Sequence, residues 1–157
     1  MHSDIHFDRP DLAMFTRPAF PSDQRDIEAL LVASGLPTAG AFKEDSRNFF
    51  VATSGGELVG CLAVERYGDD GLLRSVAVRQ DKRDLGIGRA LMELAIGSWR
   101  HAGLQRLTLL TETAATYFET FGFRRIERSD APPAVMASSE FRDVCPASAT
   151  TMVLDLQ

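Results

Sequence analysis

At 157 residues the chain is about one domain long, enough to bury roughly two-thirds of the surface its unfolded form exposes around a single core. Hydrophobic residues at 45% and charged ones at 25% exclude a disordered chain, and apolar runs no longer than a strand exclude a bilayer span. Seventeen basic residues against 22 acidic ones leave a net charge of -5, the wrong sign for gripping nucleic acid through the overall field. Residues 1–9 have neither an apolar core nor a small-residue cleavage site, so a cytoplasmic protein is expected, with residues 1–11 as a flexible lead-in. Cys61, in an apolar run, and the distant Cys145 suit a reduced compartment; His2, His6 and His101 lack ligand spacing, so no metal is expected.

The apolar stretch 13–20 reads as a first strand, ended by Pro21. Ser22 can cap a helix whose inner face carries Ile27, Leu30 and Leu31, stopped by Gly35 and Pro37. Residues 48–53 and 57–66 are strands joined by Ser54-Gly55-Gly56, and 72–78 is another after Gly68-Asp69-Asp70-Gly71, which completes a meander. Ile87, Leu91, Leu94, Ala95, Ser98, Trp99 and Ala102 then fall on one stripe at helical spacing, closed by Gly103. A strand at 105–110, a helix at 113–121, a strand at 123–127 and a last strand at 150–156 follow. Residues 128–148, with three prolines, are long enough for a functional loop carrying a short helix near 138–144. The order is an antiparallel meander followed by strand, helix, strand, helix, strand: an α/β or α+β layer arrangement in one domain over 1–157.

Chemistry concentrates in Arg83-Asp84-Leu85-Gly86-Ile87-Gly88-Arg89, between an apolar strand and the long amphipathic helix. Glycines let the backbone turn tightly and let a ligand approach without meeting a Cβ, while the first helical amides have no internal partner. Helix-dipole charge adds to those amides, so phosphate or pyrophosphate is the favoured ligand. Lys82, Arg83 and Arg89 surround it with positive charge. No Gly-Lys-Ser/Thr follows, against a Walker loop, and Leu91 stands where a dinucleotide fingerprint needs its third glycine. A tight loop-to-helix turn packed on a sheet is the plainer reading of the glycines.

The strand, the Arg-x-x-Gly-x-Gly run and the helix after it resemble the acetyl-coenzyme A signature of the Gcn5-related N-acetyltransferases (GNAT), and Tyr117-Phe118-Glu119-Thr120-Phe121-Gly122-Phe123 is similar to that superfamily's later helix-and-strand motif. Within the superfamily, the runs around Arg74-Ser75, Thr111-Glu112-Thr113 and Phe141-Arg142-Asp143 resemble the small N-acetyltransferases of bacterial arsenic-resistance operons. The resemblance implies acetyl-coenzyme A between two splayed strands. Backbone groups of Val76, Ala77 and Val78 would pair with its pantetheine arm, amides from Arg83, Asp84, Leu85, Gly86, Ile87, Gly88 and Arg89 would hold its pyrophosphate, and Thr111, Thr113 and Phe118 would line the other wall. A backbone amide would stabilise the developing oxyanion. The superfamily's usual proton-donating tyrosine falls at Phe118, so no acid is assigned. A homodimer, and an arsenic-containing amino acid such as arsinothricin as acceptor, are further implications.

On the acceptor side, folding the hairpin around Asp69-Asp70 pairs Tyr67 with Leu72 and sets Glu65 opposite Arg74. A structural ion pair is the plain reading. The sharper one has Arg74 gripping the acid group of a small amino-acid-like amine and Glu65 serving as general base; Ser75, on the opposite pleat, joins them only if the strand bulges. Phe141, Arg142, Cys145 and Ser148 are loop candidates for a lid, with a segment that wraps a sheet edge or makes a dimer contact as the equally open alternative. Competing readings are an acyl-coenzyme A sensor without turnover, an oxidoreductase using a dinucleotide, and an acetyltransferase for protein amines; no nucleic-acid or membrane partner is expected.

Overall fold

The computed structural model describes residues 14–38, 41, 42, 48–138, 141 and 148–157. In chain order the elements are β1 (Met14–Pro18), α1 (Gln24–Ala33), β2 (Phe49–Ser54), β3 (Glu57–Tyr67), β4 (Asp70–Val78), α2 (Ile87–His101), β5 (Arg106–Thr111), α3 (Ala115–Glu119), β6 (Arg124–Ile126), α4 (Pro133–Met136) and β7 (Thr150–Asp155). The seven strands hydrogen-bond in the order β1-β2-β3-β4-β5-β7-β6, with β4 and β5 parallel, which gives the mixed α/β sheet the element order implies. Among the described residues no helix is long and apolar enough to cross a membrane.

The chain forms two compact units, Met1–Ala63 with Ser75–Leu94 and Val64–Arg74 with Ala95–Gln157, so that β3, β4 and α2 each run through both. In the first, β1 and β2 pair from Met14↔Ser54 to Pro18↔Phe50. Ile27, Leu30 and Leu31 form a helical stripe on α1 that packs on Phe49, Val51, Cys61, Ala63 and Ala77. Helix α1 begins differently from expectation. Pro21 starts a one-turn 3-10 segment, Pro21–Asp23, that takes in Ser22, and the carboxylate that ties the chain there is Asp23, accepting the Phe20 amide at 2.7 Å. Gly60 lets α2 approach: a Cβ there would lie 3.0 Å from both Ile87 and Leu91 side chains.

In the second unit β5 is central. It pairs with β4 at Asp70–Leu72 and with β7 from Arg106↔Asp155 to Thr111↔Thr150, and β6 closes the edge against β7. Leu72 packs with Ala131, Val135 and Phe141, joined by Tyr67, Leu110, Ile126 and Met136. Within the long loop the described helix is α4, started where Pro133 presets φ at the first helical position. Most of the expected span 138–144 lies outside the described residues, as do Arg142 and Cys145. The β3–β4 connection is Gly68-Asp69 alone, since β4 already begins at Asp70. A hairpin closed that tightly sets Arg74 diagonally from Glu65 on one face, not directly opposite.

Candidate functional site

The second half of β4 departs from regular strand geometry. Ser75 has φ of 60°, a left-handed conformation rare outside glycine, so the strand bulges there and its regular pleat is interrupted. The bulge is anchored from β3: the buried Cys61 thiol donates to the Ser75 carbonyl at 3.4 Å. Burial pushes that thiol up to about 12, while a hydrogen bond from the Ala77 backbone acts the other way; it is a neutral donor near pH 7. Pairing with β5 ends at Leu72, and Val76, Ala77 and Val78 lie beyond it, Val76 and Val78 half-buried and Ala77 buried. Backbone register with β3 is recovered at Arg79, whose amide reaches the Val59 carbonyl at 2.8 Å.

From the end of β4 the chain turns through Gln80–Lys82 into the glycine loop. Arg83 Nε ties the loop to the strand through the Val78 carbonyl at 3.1 Å, and Arg79 pairs with Asp81 at 2.8 and 3.0 Å. Asp84 and Gly86 both have positive φ, 67° and 83°. Aspartate tolerates that region better than most side chains; Gly86 enters it without steric cost, and a Cβ built on Gly86 meets nothing within 4 Å. Ile87 is buried and pins the start of α2, whereas Arg83, Asp84, Leu85, Gly86 and Arg89 are exposed and Gly88 is half-buried. The first helical hydrogen bond runs from the Ala90 amide to Gly86, leaving the preceding amides without an acceptor in the helix. Open space, outward amides and nearby basic side chains suit an anionic diphosphate.

In the second unit a side-chain cluster carries the polar chemistry. Glu65 accepts from Tyr67 Oη at 3.0 Å and from Arg74 Nη1 at 3.3 Å, so each carboxylate oxygen is engaged. The Arg74 side chain is 1% exposed and that of Glu65 17%. On the other expected wall, Thr111 Oγ1 accepts the Ala114 amide at 3.0 Å and starts the α3 turn, Thr113 is exposed, and Phe118 is buried edge-on to Phe123 with centroids 5.9 Å apart. Phe141 is buried, with its carbonyl held by Arg128 at 2.6 Å; Ser148 is exposed. Cys61 and Tyr67, which hold the bulge and the acid cluster, escaped sequence reasoning. The signal for Tyr67 was its two-residue spacing from Glu65 on one strand face.

Comparison with known proteins places this geometry. The family described as acetyltransferase (GNAT) domain matches residues 45–125. An uncharacterised N-acetyltransferase of Chlorobaculum tepidum is 34% identical over 90 residues, and the matched stretch spans 57% of each protein. Among solved structures, Rv2747 of Mycobacterium tuberculosis, in complex with CoA, superposes with a TM-score of 0.77 at 26% identity, over 91% of this chain and 99% of that one. N-acetylglutamate synthase of Neisseria gonorrhoeae, complexed with coenzyme A and N-acetyl-glutamate, superposes with a TM-score of 0.76 at 23% identity, over 92% of this chain but 35% of the synthase, a likeness of fold. With its strand bulge, glycine loop and helix start all inside the matched residues, the chain belongs to the GNAT acetyltransferases.

Proposed function

We propose that the chain is an acetyl-CoA-dependent N-acetyltransferase acting on the primary amine of a small acidic, amino-acid-like acceptor. One observation carries the reading: a strand bulged at Ser75 runs into a loop with left-handed Asp84 and Gly86 that opens α2, a continuous backbone surface for a diphosphate and its arm. Acetyl-CoA would supply an activated acetyl thioester. Amides of residues 83–89 hold the diphosphate, Lys82, Arg83 and Arg89 offset its charge, and backbone groups of Val76, Ala77 and Val78 align the arm. Holding the donor fixed beside the acceptor converts an encounter in solution into a positioned reaction. The acceptor nitrogen gives up a proton and bonds to the acetyl carbon as the carbon–sulfur bond breaks and CoA thiolate leaves.

Arg74 orients the acceptor's acid group, and Glu65 holds the guanidinium and accepts the amine proton directly or through water. At Phe118 the ring offers no proton, so thiolate, with a thiol reference pKa of about 8.5, is protonated by solvent. The bound N-acetyl-glutamate of the Neisseria neighbour supports an acidic amino-acid acceptor, and arsenic- or phosphorus-containing amino acids such as arsinothricin belong to the same chemical class. The test is free-thiol release from acetyl-CoA across a panel of small amines, with calorimetry of CoA binding alongside. Release with acidic amino acids is expected. CoA binding without release for any amine would leave a sensor, and no CoA binding would overturn the reading.

A further inference from the structure

Two buried hydroxyls in the second unit remain unexplained by the fold. Thr108 is 0% exposed and Thr151 is 2% exposed, and neither Oγ1 has a hydrogen-bond partner among the described residues. Both lie on one sheet face. Thr108 pairs across β5 with Leu72 of β4 and Val153 of β7, and Thr151 pairs with Leu110 of β5 and Ile126 of β6. Paired residues share a face and alternate residues return to it, so Leu72, Arg74, Thr108, Leu110 and Thr151 point the same way. Leu72, Leu110 and Ile126 join Ala131, Val135 and Phe141 in one apolar cluster.

Valine has almost the shape of threonine and would sit in that cluster without a desolvation cost, so apolar packing accounts for neither hydroxyl. A buried hydroxyl is retained at no net loss when something brings it a partner. The neighbouring cation on the face, Arg74, favours an anion. We propose that Thr108, Thr151 and Arg74 form the acid-group subsite of the acceptor, two hydroxyl donors and a guanidinium for one oxyanion. This rests on the acetyltransferase reading above and extends it to the residues that set acceptor specificity. Among the described residues, α4 and Phe141 pack over this face.

The experiment is steady-state acetylation of L-glutamate, L-aspartate, 2-amino-4-phosphonobutyrate and the neutral control L-glutamine by the wild type, Thr108→Val, Thr151→Val and the double variant, with Tm recorded for each. Each valine is expected to raise KM for the acidic acceptors about 10-fold, the size of one hydrogen bond to a charged group. KM for acetyl-CoA should hold, Tm of the ligand-free protein should not fall, and Thr108→Ser and Thr151→Ser should retain the acidic preference. Unchanged KM for the acidic acceptors would overturn the subsite, whatever the Tm. An equal loss for L-glutamine would overturn it too. Should the wild type neither acetylate nor, by calorimetry, bind any acidic amine, the parent reading fails and this one with it.

Discussion

Under the proposed function, the stretch from Ser75 to Arg89 and the polar face around Arg74 would recognise ligands by opposite means. The first is backbone: two left-handed residues, outward amides and exposed side chains that leave the chain itself accessible. The second is side chain: a carboxylate, a guanidinium and hydroxyls sunk in an apolar cluster. Backbone recognition tolerates many side chains but not an added bulk at a glycine, whereas side-chain recognition tolerates backbone adjustment but not the loss of one charge. Substitutions should therefore separate donor from acceptor binding cleanly.

The largest effect is expected on the side-chain half. Arg74→Ala leaves Glu65 largely buried beside Tyr67 without its cation, which costs about 3 kcal/mol or more of stability. The same change should raise the acceptor KM by about 100-fold, the scale of a lost charge-assisted pair. Urea unfolding and kinetics together check it. Arg74→Lys keeps the charge, so it should recover stability further than it recovers KM, because an ammonium cannot reproduce the planar fork. Full recovery of both would make the arginine a structural ion only.

On the backbone half, Gly86→Trp should weaken CoA binding by about 100-fold, because a side chain would fill the open space over amides that a ligand needs. Gly86→Ala should cost mainly the left-handed penalty of about 1–2 kcal/mol. Calorimetry with CoA distinguishes the two, and unchanged affinity in the tryptophan variant would remove the diphosphate from this loop.

Legibility divides along the same line. The glycine loop was readable because its chemistry follows from backbone permissiveness, which Gly86 and Gly88 announce directly, and the helix stripe of α2 from Ile87 onward has a period no strand shares. The Glu65 and Arg74 pair was readable from hairpin proximity, although the register was not: whether Asp70 belongs to the turn or to the strand depends on its pairing, and Asp70 joins β4 and accepts from Arg106 at 2.9 Å. Cys61 was hidden because a thiol in an apolar run looks like any small core residue until its acceptor is known. Thr108 was hidden for the same reason, a hydroxyl inside Arg106-Leu107-Thr108-Leu109-Leu110.

Cys61 joins the two halves of the comparison, since it is a side chain whose task is to hold a backbone shape. Cys61→Val conserves approximate volume but leaves the Ser75 carbonyl without its donor. A kcat loss of about 5- to 10-fold with an unchanged KM for acetyl-CoA is expected, the scale of one neutral hydrogen bond. Cys61→Ser, which keeps a donor, should lie closer to wild type. Identical kinetics for all three would mean that the bulge stands without the thiol.

The smallest effect belongs to a site remote from both halves in sequence and sets the baseline against which they are read. Asp23 accepts from Arg17 at 2.7 Å and from the Phe20 amide, and the Arg17 hydrogen bond is the main cause holding its carboxyl below the usual range, followed among the lowering causes by Phe20. A carboxyl depressed in the folded state contributes stability that is fully present above its unfolded pKa, about 3.9, and is lost as pH falls through the folded value. Asp23→Asn should thus lower Tm by about 2 °C at pH 7, an ion pair of this exposure being worth at most about 1 kcal/mol, with the difference closing as pH falls through the folded value. Acetylation kinetics should not change. A Tm difference that persisted at pH 2 would trace the effect to the Phe20 hydrogen bond and the turn before α1, since an amide differs there from a neutral carboxyl in geometry and not in charge.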